Sequence, residues 1–246
     1  MSESMRMWME IIFNIAYLIM IWVLVIAMYA RRSLVQPGNQ RVANLFMKAF
    51  ALLALGDTGH VGFRVVAYAL GDLQATISVS GMELGLVGLG ALATAITVTF
   101  FYVLVLQIWQ VRFKKPYGVF GYLLFGSAIV RLIMMVFPAN EWNNLVPPQP
   151  WGLLRNLPLM IQGLGVAYLI LRDATAAKDR TFTWIGICIL VSFAMYAPVI
   201  LFVQQIPLVG MLMIPKTLAY LAIALIAYNA FYRSPAMQST GLQLGS

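Results

Sequence analysis

Stretches that are otherwise apolar carry Asp57, His60 and Arg64 in one segment, Arg131 in another, Arg155 in a third and Lys216 in the last. Asp57 and His60 are spaced i and i+3, which on a helix brings a carboxylate beside an imidazole. Such a pair can activate water or a hydroxyl for attack on an ester, a phosphoester or a vinyl ether, so both are catalytic candidates. Asp57 and Lys216 are expected at similar depth on neighbouring helices, as an ion pair. Beyond that pair, Arg64, Arg131 and Arg155 stand against Glu83 and Glu141 and leave a cationic excess. That excess suits a phosphate, a carboxylate or an anionic headgroup, which guanidinium groups grip bidentately. The ligand-binding candidates are therefore Arg64, Glu83, Arg131, Arg155, Tyr196, Lys216 and Tyr220.

The segments that must position these groups are read from composition and pattern. Of 246 residues, 62% are hydrophobic and only 10% charged, against about 25% charged in soluble domains. With a mean hydropathy of +0.86, the chain is expected to be an integral membrane protein. Seven stretches reach the roughly 20 apolar residues a bilayer requires: near 9–30, 43–70, 82–111, 117–137, 151–171, 182–204 and 207–232. The fold class is an all-α bundle of seven transmembrane helices forming one domain over 1–233. A short polar tail at 234–246 follows.

Arg31, Arg32, Arg41, Arg112, Lys114, Lys115, Arg172, Lys178, Arg180 and Arg233 fall in loops on one side of these spans. The positive-inside rule then places the N-terminus outside, the C-terminus in the cytoplasm and the protein in the cell membrane. The same distribution ties the net charge of +8 to orientation and anionic lipid headgroups, not to nucleic acid. The single cysteine, Cys188, excludes an intrachain disulfide, and one histidine argues against a His-rich metal site, so no metal is expected. Cys188 itself reads as a small packing residue. The first span follows no strongly basic region and is long for a cleaved leader, so it is expected to be retained.

At about 100° per residue, Asp57, His60, Arg64 and Tyr68 share one face of the second span. Glu83, Gly90, Thr94 and Thr97 form a stripe on the third, Ser127 and Arg131 on the fourth, Arg155 and Gln162 on the fifth. Ser192 and Tyr196 align on the sixth, and Lys216 and Tyr220 on the seventh. Counted from Pro207 at 1.5 Å per residue, Lys216 lies roughly 15 Å into the membrane. The expected shape is a polar pocket open to the outside, in which Arg64 and Arg155 can also snorkel to outer headgroups. The loop PANEWNNLVPPQPWG is a candidate lid. Gly81, Gly85, Gly88, Gly90, Ala91, Ala93 and Ala95 predict a tight packing seam. No matched pair of Pro/Gly-broken spans marks an inverted-repeat transporter.

Two family resemblances attach to these residues. Seven spans, an outside N-terminus and Lys216 in the last helix resemble microbial rhodopsins, which implies retinal as a Schiff base on Lys216. Phe193, Tyr196 and Pro198 are similar to that family's aromatic-and-proline wall, whereas Leu212 stands where it commonly has aspartate. The dipeptide Gly56-Asp57 beside a Gly-rich third span is similar to lysoplasmalogenases, which implies lipid vinyl-ether hydrolysis. Zinc-dependent seven-helix hydrolases use several histidines, and this chain has one.

The expected function is an outward-facing, net cationic pocket for an anionic amphiphile or small ligand among membrane lipids, with lipid headgroup hydrolysis or transfer as its activity. The alternatives are a non-catalytic ligand sensor or membrane-complex subunit acting through a protein partner or a second copy, a retinal protein, and a small-solute transporter.

Overall fold

The protein is described from a computed structural model covering residues 3–79, 81–145 and 147–233. The tail expected at 234–246 lies outside these residues. Eight α-helices follow in order: α1 Glu3–Ala30, α2 Gln40–Ala69, α3 Leu86–Phe113, α4 Gly118–Val136, α5 Trp151–Leu154, α6 Leu157–Ala176, α7 Arg180–Phe202 and α8 Met213–Phe231. Among the described residues, seven segments are long and apolar enough to cross a membrane, with α5 and α6 counted as one. Seven such helices suggest a multi-pass membrane protein.

Each boundary has a local cause. α4 stops at Val136 ahead of Pro138, because the residue before a proline is pushed out of the helical region. α7 starts after Asp179, whose carboxylate accepts from the Phe182 backbone N–H at 3.1 Å and satisfies one of the orphan donors of the first turn. Pro158 enters α6 at its second position, where its missing N–H costs nothing. The chain therefore breaks at Arg155 and Asn156, between α5 and α6. The last span begins as a 3-10 turn over Pro207–Leu212 before α8 takes over.

One element departs from the all-α expectation. Residues expected as a loop and as the start of the third span form an antiparallel hairpin, β1 Thr76–Val79 with β2 Met82–Gly85. Its register pairs Thr76 with Gly85 and Ser78 with Glu83, and Gly81 takes φ of 82° in the turn. α3 starts only at Leu86, so Glu83 belongs to a strand and not to the third span.

The helices form a closed circuit: α1 packs on α2 and α8, α2 on α3, α3 on α4 and α6, α6 on α7, and α7 on α8. The tightest contact joins α2 to α3, along the small-residue seam expected from the sequence. A Cβ on Gly90 would lie 2.8 Å from the His60 Cα, and one on Gly56 would run into the Thr97 side chain. The core within the circuit is aromatic, with Phe46, Phe50, Phe101, Tyr102, Phe182 and Trp109 buried. Outward faces are apolar too: Ile12, Ile19, Val23 and Ile26 on α1 and Val119, Leu123, Ile133 and Val136 on α4 are exposed. In water such continuous apolar faces are a liability, whereas against lipid they are the required surface.

Cross-links fix the two ends. At one end Arg112 pairs with Asp179 at 2.8 Å, Lys115 with Asp173 at 2.7 Å, and the Tyr232 hydroxyl donates to the Ala43 carbonyl at 2.7 Å. The segments around residues 39–43, 112–117, 173–180 and 232 thus gather together. Burial pushes the Tyr232 hydroxyl well above the usual tyrosine range, because the phenolate would be withdrawn from water. At the other end, Asn143 of the α4–α5 loop accepts from the Gly85 N–H at 2.8 Å and donates to the Glu83 carbonyl at 2.9 Å.

Candidate functional site

Two polar clusters lie between the helices, and Lys216 stands between them. The first is centred on Asp57. The Tyr17 hydroxyl of α1 donates to Asp57 Oδ2 at 3.0 Å, and the Thr94 hydroxyl of α3 lies 3.0 Å from the Gly56 carbonyl and 3.5 Å from Asp57 Oδ1. One carboxylate therefore links three helices. The bare backbones of Gly56 and Gly90 let α2 and α3 approach closely enough for Thr94 to reach it.

The second cluster is centred on Arg131, which is 2% exposed. From α4 its Nη1 donates to the Thr99 hydroxyl of α3 at 2.9 Å. Its Nε donates to the Arg155 carbonyl at 3.2 Å, and Nη2 reaches Asn156 Oδ1 at 3.5 Å. Both of these acceptors sit at the break that Pro158 imposes, where the helical ladder leaves carbonyls available. Asn156 Oδ1 also accepts from the Tyr196 hydroxyl at 3.0 Å. Every partner of Arg131 is neutral, and no ion pair to it forms among the described residues.

Lys216 comes in from α8, in the first turn after the 3-10 segment. Its Nζ stands 4.3 Å from the centre of the Tyr196 ring and 5.8 Å from that of Tyr220, a cation held on aromatic faces. The Tyr220 hydroxyl is in turn hydrogen bonded to that of Tyr102 at 2.8 Å. Through Tyr196, whose hydroxyl shares Asn156 Oδ1 with Arg131, the lysine adjoins the Arg131 cluster.

Several expectations meet a different geometry. The Asp57–Lys216 ion pair does not close: no contact within 4 Å joins them among the described residues. Asp57 and His60 share a helix face, yet no hydrogen bond joins them. Tyr17 and Thr94 take the Asp57 carboxylate, while His60 Nδ1 is buried without a hydrogen-bond partner among the described residues. Glu83 is turned away from the interior, exposed on β2 with its carboxylate accepting from the Thr76 hydroxyl at 2.7 Å. Arg64 faces a small crevice between α1 and α2, lined also by Ile11, Asn14, Val61, Val65 and Tyr68. Arg155 lends its carbonyl to Arg131 and sends its guanidinium over the Trp142 ring, 4.2 Å from the centre. The loop expected as a lid thus packs on Arg155 through Trp142 and on the hairpin through Asn143. Cys188 is a free thiol packed against the core.

Tyr17, Thr99, Tyr102 and Asn156 complete the clusters without having stood out in the sequence. Only Asn156 carried a signal, a polar residue two places before a proline. The arrangement also bears on retinal, which would need a slot of polyene length leading from Nζ. The rings of Tyr196 and Tyr220 pack on that amine. Those rings occupy space beside the amine that a polyene would enter. The groups brought together are instead two cations, Arg131 and Lys216, one carboxylate already engaged by hydroxyls, and a set of tyrosine and amide hydrogen-bonding groups. Comparison with known protein families, with curated proteins and with solved structures finds no match, so the functional reading rests on this geometry.

Proposed function

We propose that this is a multi-pass protein of the cell membrane that binds an anionic amphiphile, a lipid with a phosphate or carboxylate headgroup, in the interior around Arg131 and Lys216. The N-terminus and the hairpin end would lie outside, and the basic end in the cytoplasm. The observation that carries this reading is the buried guanidinium of Arg131, which among the described residues donates only to neutral acceptors. A charge withdrawn from water is costly unless an opposite charge answers it, and Lys216 adds a second cation nearby. Asp57 is one carboxylate against two cations and already accepts from Tyr17 and Thr94. An anionic headgroup would complete the balance, with Arg131 and Lys216 on the charge, Tyr196 and Tyr220 beside it and Arg155 at the rim.

Binding without turnover is favoured over hydrolysis or transfer because the Asp57–His60 hydrogen bond is missing. A ligand-sensing protein or a subunit of a membrane complex follows from that reading.

Native mass spectrometry of the protein released from membranes in mild detergent provides the test. An anionic lipid should stay bound to the wild-type chain through delipidating washes. The retained fraction should drop about tenfold or more in Arg131→Gln and in Lys216→Met, the loss expected for one charge-assisted contact. Lys216 takes part in no hydrogen bond among the described residues, so Lys216→Met keeps the test alive if Arg131→Gln fails to fold. Unchanged retention in a folded Lys216→Met chain would sink the proposal. Turnover of a lipid panel that disappears in His60→Ala would move the reading from binding to catalysis.

A further inference from the structure

One cavity among the described residues lies at the basic end, away from the two interior clusters. It measures about 560 Å³ and is lined by Arg112, Phe113, Ala177, Lys178, Asp179 and Arg180. We infer that this depression is a second anion site, a seat for the phosphate of an anionic phospholipid headgroup, independent of the interior site proposed above.

Three observations converge on it. The first is charge: Arg112, Lys178 and Arg180 face one carboxylate, Asp179, and both of its oxygens are taken. Oδ2 accepts from Arg112 Nε at 2.9 Å and Oδ1 accepts from the Phe182 N–H at 3.1 Å. Lys178 and Arg180 are exposed and form no ion pair among the described residues, so the hollow keeps a positive balance. The contrast with Asp173 nearby is instructive. That carboxylate, 3% exposed, collects Lys115, Arg172 and the Trp109 indole, so both of those cations have an ion-pair partner.

The second observation is pre-organisation. Arg112 is fixed by Asp179, by Asn39 Oδ1 at 3.4 Å and over the Phe182 ring at 5.4 Å, yet its side chain stays 33% exposed. A planar guanidinium held in place with donors to spare suits a phosphate. The third is level. Trp184 is 59% exposed, one helical turn beyond Arg180, and an exposed tryptophan on an apolar helix marks the interface with headgroups. A headgroup at that level meets the hollow without leaving its leaflet, which a free anion does not require.

The test uses the full chain in detergent, with apparent affinity read by titrating phosphatidylglycerol, phosphatidylcholine or inorganic phosphate in native mass spectrometry and by the shift in Tm. The comparison is made in the wild-type and Lys216→Met backgrounds, so that failure of the interior site leaves this one measurable. Phosphatidylglycerol should bind, and Lys178→Gln with Arg180→Gln should weaken it by about fivefold for each cation removed. The pair Arg31→Gln with Arg32→Gln, at the same end but outside the hollow, should change affinity less than twofold. Equal losses in the two double variants would reduce the effect to general surface charge and overturn the site. No preference for phosphatidylglycerol over phosphatidylcholine would overturn it as well. Inorganic phosphate that stabilises as much as the lipid would overturn the headgroup assignment.

Discussion

The carboxylate of Asp57 gathers hydroxyls from two other helices, and its behaviour depends on them. Without Tyr17, only the longer contact to Thr94 would remain, and Thr94 already serves the Gly56 carbonyl. Leaving a buried charged acceptor short of a donor costs about 1–3 kcal/mol. Tyr17→Phe should therefore destabilise the bundle by roughly that amount, whereas Asp57→Asn together with Tyr17→Phe should cost less than the sum of the two single changes. A double-mutant cycle on denaturation in detergent measures the difference, and strict additivity would show that the hydroxyl and the carboxylate do not depend on each other. The same pairing explains why the residue-level reading of Asp57 with His60 was only half legible. Spacing along one helix brought the two to a common face, but partners from α1 and α3 decided where the carboxylate bonds. A tyrosine in an apolar run such as the first span looks like any core aromatic until the opposite helix is in view.

At the scale of elements, the seam between α2 and α3 sets the distances on which the Asp57 cluster relies. Gly90 faces the His60 backbone, so a Cβ there has no flexible side chain to displace. Gly90→Ala should destabilise by about 1–3 kcal/mol, as overpacking does. Gly62 sits on the same α2 helix with nothing within 4 Å of an added Cβ. Gly62→Ala should therefore be stabilising by about 0.5–1 kcal/mol, through helix propensity alone. Thermal unfolding of the two variants gives opposite shifts if the seam controls the packing, and the same sign for both would refute that account. The seam was legible because small residues in an apolar helix have few other uses. The hairpin was not: Thr76–Val79 and Met82–Gly85 are each four residues long, too short for a period-two pattern to rise above a loop. The pairing of the hairpin end with Asn143 depends on a contact across 58 residues that no local pattern encodes.

Over the whole molecule, the seven long apolar helices were legible because the polar breaks between them are short and unambiguous, and the orientation we propose draws on the same breaks. The structure adds that the segments rich in arginine and lysine are tied into one end by Arg112–Asp179, Lys115–Asp173 and Tyr232–Ala43. Positive segments are retained on the cytoplasmic side during insertion, so their gathering at one end supports the orientation we propose. The single cysteine makes this measurable. In a Cys188→Ser background, Ser78→Cys introduces a thiol on the exposed hairpin, and Lys178→Cys introduces one at the basic end. A membrane-impermeant maleimide added to intact cells should label the chain carrying Ser78→Cys and spare the one carrying Lys178→Cys until the membrane is opened. Reversed labelling would invert the bundle and move the Arg155 rim to the cytoplasmic face, where an outer-leaflet lipid has no access to it. Labelling of both positions from outside would contradict an odd number of crossings between them, and with it the seven-span arrangement on which the interior and basic-end sites are placed.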